Sequence, residues 1–224
     1  MLDFLFPNYT CLVCKCELNA PQNRCICDKC AADLPFNTDP ITFKDTAVKQ
    51  YFYKAFAAFR YDTPIVGLIL RLKYNAESHV ATALAPYAAA VLTSKEQVAS
   101  SKKRWLLSAV LVPVPLCKKR EKTRGYNQAL LLAKEISKTT GIPVESSAII
   151  RIKRTSPQKE MTVRERANNL KDAFEITNAE LVKNKKIILV DDVFTSGSTV
   201  NECARVLMGA GAKQVNVLTI AAVV

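Results

Sequence analysis

Lys186-Ile187-Ile188-Leu189-Val190-Asp191-Asp192-Val193-Phe194-Thr195-Ser196-Gly197-Ser198-Thr199-Val200 is the stretch whose reading decides the fold. Its apolar half predicts a buried strand that ends in two adjacent carboxylates, Asp191 and Asp192. Its polar half, Thr195 to Thr199, predicts a turn from which a helix begins. In open parallel sheets, ligands bind beyond the carboxyl ends of the strands. A helix N-terminus offers unpaired backbone N–H groups and the positive end of a dipole, which suits a phosphate. Gly197 lets the backbone approach closely, and the flanking hydroxyls add donors. Ionised carboxylates only accept hydrogen bonds, so Asp191 and Asp192 suit a vicinal diol. The short spacing from acids to turn matches the reach of a 5-phosphorylated ribose.

Strand and helix patterns alternate around this stretch. Residues 106–116 read as a buried strand ending at Pro113 and Pro115, and residues 127–141 as a helix stopped by Gly141. Residues 144–152 read as a strand, 154–170 as a long polar basic loop, 196–212 as a helix and 214–224 as a final buried strand. Upstream, Tyr51 to Tyr61 reads as a strand. Ile65, Leu68, Ile69 and Leu72 fall on one helical face, and an Ala-rich helix follows from Ser78 to Ser94. This alternation predicts an α/β fold with a parallel sheet covered on both faces.

The composition, 49% hydrophobic and 23% charged over 224 residues, predicts a folded chain with a real core. The net charge of +12 is unevenly placed. Residues 102–166 hold 16 Lys and Arg against 5 Asp and Glu, which accounts for nearly all of it. Such density in one segment points to an anionic ligand, either a polyphosphate or a nucleic acid. There is no G-x-x-x-x-G-K-[ST] sequence, so a Walker-type nucleotide site is not supported. His79 is the sole histidine and reads as a surface residue, which argues against His-dependent triads. No apolar run has the roughly 18–20 residues of a membrane span. The opening MLDFLFPNYTC lacks the pattern of a secretion signal, so the expected location is cytoplasmic.

Six of the eight cysteines lie between Cys11 and Cys30. Cys11-x-x-Cys14 and Cys27-x-x-Cys30 form two knuckles of the kind that hold a tetrahedral zinc ion. So short a segment buries little apolar surface and needs such a staple. Cys16 and Cys25 are close enough in sequence to replace a neighbour, but the knuckle pairing favours 11, 14, 27 and 30. A structural or partner-binding role is expected, because catalytic zinc keeps an open position. Trp105 and the aromatics of 51–61 read as core, and Cys117 and Cys203 as ordinary thiols.

Leu189 to Thr199, LVDDVFTSGST, closely resembles the phosphoribosyl pyrophosphate (PRPP) signature of type I phosphoribosyltransferases. Further matches are Val112 to Leu116 (VPVPL), Arg124 to Gln128 (RGYNQ), Leu131 to Ala133, and the spaced Arg151, Lys153, Thr155 and Gln158. Arg164, Arg166, Asn168 and Ala173-Phe174 continue the series. With Arg71 to Tyr74 (RLKY) and the cysteines upstream, the whole chain resembles the ComF family.

The resemblance implies a type I phosphoribosyltransferase fold, parallel-sheet α/β, with a small N-terminal four-cysteine module of zinc-ribbon type. The implied division is a zinc module over 1–40, a helical and aromatic hood-like region over 41–100, and the phosphoribosyltransferase-type domain over 101–224. Asp191 and Asp192 would hold the ribose hydroxyls, and Val193 with Thr195, Ser196, Gly197, Ser198 and Thr199 the 5′-phosphate. Pyrophosphate with Mg²⁺ would meet the loop after Val114-Pro115, with Arg120 and Arg124 as its basic contacts. Arg151, Lys153, Arg154, Gln158, Lys159 and Arg164 would belong to a mobile loop that closes over PRPP. Ser196, Ser198 and the bulky Phe194 depart mildly from the usual signature.

Three functions follow from the resemblance. The preferred one is a PRPP-binding protein of DNA uptake or processing that contacts single-stranded DNA. The second is an enzyme moving the phosphoribosyl group to an acceptor the sequence does not name. The third is a zinc-module scaffold for DNA-uptake machinery. Only the first predicts salt-sensitive oligonucleotide binding, through released counterions.

Overall fold

Lys186–Phe194 forms a strand of nine residues, and Gln214–Ala222 runs parallel to it in the register Ile187↔Val215 to Phe194↔Ala222. In chain order the strands are β1 (Ala55–Arg60), β2 (Ala109–Pro113), β3 (Ile149–Arg151), β4 (Phe174–Ile176), β5 (Lys186–Phe194) and β6 (Gln214–Ala222). The helices are α1 (Asp28–Ala32), α2 (Ile65–Tyr74), α3 (Val80–Thr93), α4 (Lys118–Arg124), α5 (Gln128–Thr140) and α6 (Ser198–Gly209). The computed structural model describes residues 10–18, 25–39, 41–43, 49–93, 108–153 and 170–223. The four-stranded parallel sheet has the order β1-β6-β5-β2, and β3 and β4 pair antiparallel in a separate ribbon.

The two faces of the sheet are both covered, as near-continuous apolar strands demand. Ile188 and Val190 of β5 join Leu218 and Ile220 of β6 in a cluster with α2, α3 and α5. Cys11, Leu12 and Ile26 of the N-terminal segment are buried in that same cluster. Ile187 and Leu189, pointing the opposite way by the two-residue period of a strand, pack with α6 and the β3–β4 ribbon. Asn127 and Gly141 bound α5: the Asn127 side chain accepts from Ala129 N, and Gly141 adopts φ +73°.

Two sequence expectations need correction. The β5 strand does not end at the acids but runs on to Phe194, because Asp191, Val193 and Phe194 stay in register with β6. The segment after Val114-Pro115 was expected to be a loop, yet Lys118–Arg124 is helical. It buries none of its residues, and Gly125 stops it at φ +84°. Its helix formers prevail over the missing apolar stripe. Trp105 and most of the basic loop, 154–169, lie outside the described residues. His79 is exposed, as expected for a surface residue, 3.6 Å from Glu77 Oε2. Among the described residues no helix is long and apolar enough to cross a membrane.

One buried amide ties the sheet entrance to α6. Asn201 Oδ1 accepts from Tyr51 N at 2.7 Å, and its Nδ2 donates to Lys49 O at 3.0 Å. Removing it leaves both backbone groups without those bonds. Asn201→Ala should therefore cost about 2 kcal/mol. Urea unfolding checks this: the midpoint should fall while the slope stays constant.

Candidate functional site

Like charges next to each other on one strand repel, so the position of Asp191 and Asp192 calls for a counter-charge. Asp192 is 4% exposed, and its Oδ1 lies 2.8 Å from Lys73 Nζ of α2. Its Oδ2 is also buried and has no hydrogen-bond partner among the described residues. Asp191 is half-buried, and its Oδ1 accepts from Asp192 N at 2.8 Å. Burial first, and then the charge of Asp192, push the Asp191 carboxyl up to about 7 against the pull of Lys73. Burial works against the charged form of Lys73, but attraction to Asp192 and Asp191 outweighs it and raises its pKa. The acids thus form one half of an internal ion pair while one buried acceptor oxygen stays open.

The turn after the acids is built as a cradle. Gly197 sits at φ +82° and precedes α6 without a side-chain cap. The Ser196 and Ser198 hydroxyls are 2.9 Å apart, and Ser198 N lies 3.4 Å from Ser196 Oγ. Ser196 and Ser198 are buried, Thr199 and Val193 half-buried, and Thr195 exposed. The floor of the turn is aromatic. A Cβ on Gly197 would stand 2.6 Å from Phe194 Cζ and 2.9 Å from Phe43 Cδ2. Phe52 holds both rings edge-on, 6.0 Å from Phe194 and 5.7 Å from Phe43. The bulk of Phe194 is therefore a support for the turn.

Basic residues reach the same end of the sheet. Val114 N donates to Val190 O at 2.9 Å, which seats the end of β2 beside β5. Asn127 Nδ2 donates to Val114 O at 3.0 Å and fixes the start of α5 there. Arg120 and Arg124 both lie on α4, Arg120 exposed and Arg124 half-buried. The Arg124 side chain donates to Gln128 and lies 5.6 Å from the centroid of the exposed Tyr74 ring. Arg151 lies on β3 over the Phe174 ring at 5.5 Å. Burial lowers its pKa, as does the charge of Arg120, while Asp191 attracts it. Lys153 is exposed. Arg154, Gln158, Lys159 and Arg164 lie outside the described residues.

Lys73 is the residue that sequence reasoning passed over. It stood inside the quoted RLKY stretch without a role. The available signal was a lysine directly after Leu72, the last residue of the buried stripe of α2.

The cysteine cluster packs against α2 as well. The Sγ atoms of Cys11, Cys14, Cys27 and Cys30 lie within 4.8 Å of one another, so these four can hold a metal ion. Cys14 and Cys27 Sγ are 3.8 Å apart, close to the edge of a tetrahedron of metal–sulfur bonds of about 2.3 Å. Cys27 N points at Cys11 Sγ at 3.4 Å, and Cys30 N at Cys27 Sγ at 3.5 Å. Cys16 stands beside them. Its neighbour Cys14 pushes its thiol up to about 12.

The phosphoribosyl transferase domain model matches residues 126–223. "Competence protein F" of Haemophilus influenzae is 28% identical over 97% of this chain and 97% of that protein. "DNA utilization protein YhgH" of Salmonella typhimurium is 35% identical over 70% of this chain and 66% of that protein. A solved purine phosphoribosyltransferase from Pyrococcus horikoshii Ot3 aligns with TM-score 0.34 and 17% identity, over 60% of this chain and 69% of that one.

The left-handed φ of Gly197 and the rings beneath it generate a prediction. Gly197→Ala should cost about 1–3 kcal/mol from the backbone alone, with the clash added. Thermal unfolding should show a lower midpoint, and Gly197→Ala/Phe194→Leu should recover part of it. Equal midpoints for the single and double variants would remove the clash from the account.

Proposed function

Because the chain belongs to the family of competence protein F and YhgH, built on a phosphoribosyl transferase domain, we propose that it binds PRPP with Mg²⁺ at Asp191 to Thr199 and acts in DNA uptake or utilisation. One observation carries the ligand reading. A buried carboxylate oxygen without a partner, Asp192 Oδ2, stands on the strand that leads directly into the glycine turn and α6. A vicinal diol donates the hydrogen bonds that Asp192 Oδ2 and the Asp191 carboxylate accept. The N–H groups opening α6 and the hydroxyls of Ser196, Ser198 and Thr199 face the demands of a 5′-phosphate.

Transfer chemistry at this site is a displacement at the anomeric carbon. The bond from that carbon to the pyrophosphate oxygen breaks, and a bond to the acceptor forms. The sugar is cationic at the transition state, and the ionised acids beside its hydroxyls stabilise it. Arg120 and Arg124 of α4 and Arg151 of β3 balance the charge of the departing pyrophosphate. Mg²⁺ bound with the substrate would neutralise that charge further, beside the segment that follows Val114-Pro115.

Zinc is the metal this reading gives to Cys11, Cys14, Cys27 and Cys30. A set of four thiolates selects it, and with no open position its role is structural.

A second reading concerns single-stranded DNA. Lys118, Lys119, Arg120 and Lys122 line α4 as exposed cations, and Arg124 lies against a Tyr74 ring that is 69% exposed. Cations beside an exposed aromatic ring fit a single strand by phosphate pairing and base stacking.

Each reading has its own test. PRPP with Mg²⁺ should raise the melting temperature of the wild type and leave Asp191→Ala/Asp192→Ala unchanged. The Asp191 carboxyl holds its proton up to about 7 in the folded chain but is ionised above about 3.8 when unfolded. The ionised form accepts the diol, so calorimetry should show PRPP affinity rising from pH 5.5 to pH 8. An affinity that is flat or falls over that range counts against the ribose assignment. For oligonucleotides, four phosphate contacts predict a slope of log K against log salt of about −3. Tyr74→Ala should weaken binding by about 1–3 kcal/mol with little change in that slope.

A further inference from the structure

Three consecutive residues at the end of α2 grip three separate parts of the molecule. Arg71 Nη1 donates to Leu12 O at 2.8 Å, inside the first cysteine knuckle. Leu72 O accepts from Tyr126 Oη at 2.7 Å, at the junction of α4 and α5. Lys73 Nζ meets Asp192 Oδ1 at 2.8 Å. The Arg71 guanidinium is oriented by Glu77, with both carboxylate oxygens 3.0 Å from its Nε. Leu12 is itself tied to the segment that leads into the second knuckle, because its N–H donates to Cys25 O at 2.8 Å. Leu12 and Cys11 also share one apolar cluster with Ile65, Leu68, Ile69 and Leu72 of α2. The cysteine module is thus connected to the acid pair by one helical turn and the polar contacts on either side of it.

We propose that the metal held by the cysteine module sets the sugar-phosphate site through this turn, with Arg71 as the positioning residue and Lys73 as the residue positioned. The inference rests on the PRPP reading above. A metal ion fixes the knuckle and with it the Leu12 carbonyl. That carbonyl and Glu77 hold Arg71, and α2 then presents Lys73 to Asp192. The role of Lys73 is to hold the carboxylate in place. At 2.8 Å from Asp192 Oδ1 it fixes the direction of the open Oδ2. A carboxylate released from that position is a poorer acceptor for the ribose hydroxyls, so metal loss lowers PRPP affinity at a distance. The coupling expected between two sites joined in this way is about 5–150-fold.

The experiment uses the full chain, purified with its metal and then stripped by a chelator, with circular dichroism recording that the fold persists. The first arm needs no PRPP. Acetylation of lysines, read by mass spectrometry, should be slow at Lys73 in the metal-bound protein and several-fold faster after stripping, while exposed Lys183 is unchanged. The second arm titrates PRPP with Mg²⁺ by calorimetry. Stripping the metal and Arg71→Ala should each weaken binding about tenfold. In Lys73→Met, stripping should change affinity by less than about twofold, because the intermediary is gone. Equal protection of Lys73 with and without metal overturns the proposal, as does unchanged PRPP affinity in both the stripped protein and Arg71→Ala. If stripping unfolds the chain, metal-bound Arg71→Ala decides by the same two readouts. If the metal-bound wild type binds no PRPP while Lys73 still responds to the metal, the ligand reading fails and the coupling stands.

Discussion

The repulsion between Asp191 and Asp192 is the constraint around which this end of the sheet is organised. Parallel pairing with β6 holds both residues in extended backbone, so they cannot separate along the chain. Their burial removes the water that would screen them. The fold responds by bringing a cation from α2, and Lys73 Nζ at 2.8 Å neutralises one oxygen of Asp192. Asp191 answers in a different way, with a carboxyl raised to about 7. Two carboxylates adjacent in sequence therefore stand in different settings, because only Asp192 lies in contact with the lysine.

The turn that follows depends on steric fit more than on charge. Phe194 and Phe43 occupy the volume a side chain at residue 197 would need, so only glycine continues the chain from strand to helix there. Gly197 itself has no side chain to cap α6, and Ser196 Oγ accepts from the Ser198 N–H at 3.4 Å instead.

Much of this was legible in the sequence. The apolar runs 187–190 and 215–222 exposed the central strands, and Asn127 and Gly141 marked α5 at both ends. The acids, the turn and the four cysteines were found because each is a local pattern. What was missed is not local. Lys73 takes its meaning from a partner that lies far along the chain, and helical periodicity places it only at the edge of a buried stripe. Helix α4 has no apolar face to reveal it. The extension of β5 through two aspartates comes from pairing with β6, which overrides their poor strand propensity.

The strand order has a consequence for how the molecule is made. β1 enters the sheet only through β6, in the register Ala55↔Val217, and Lys54 N donates to Asn216 Oδ1 across 162 residues of chain. During synthesis the ribosome therefore releases β1 long before its neighbour exists. In that interval the strand has no sheet to join, and its apolar side chains stay uncovered. Closing so long a loop is slow, and transiently exposed strands of this kind are what chaperones shield. Maturation of the nascent polypeptide is thus governed by the arrival of β6, which fills the place between β1 and β5 and completes the sheet.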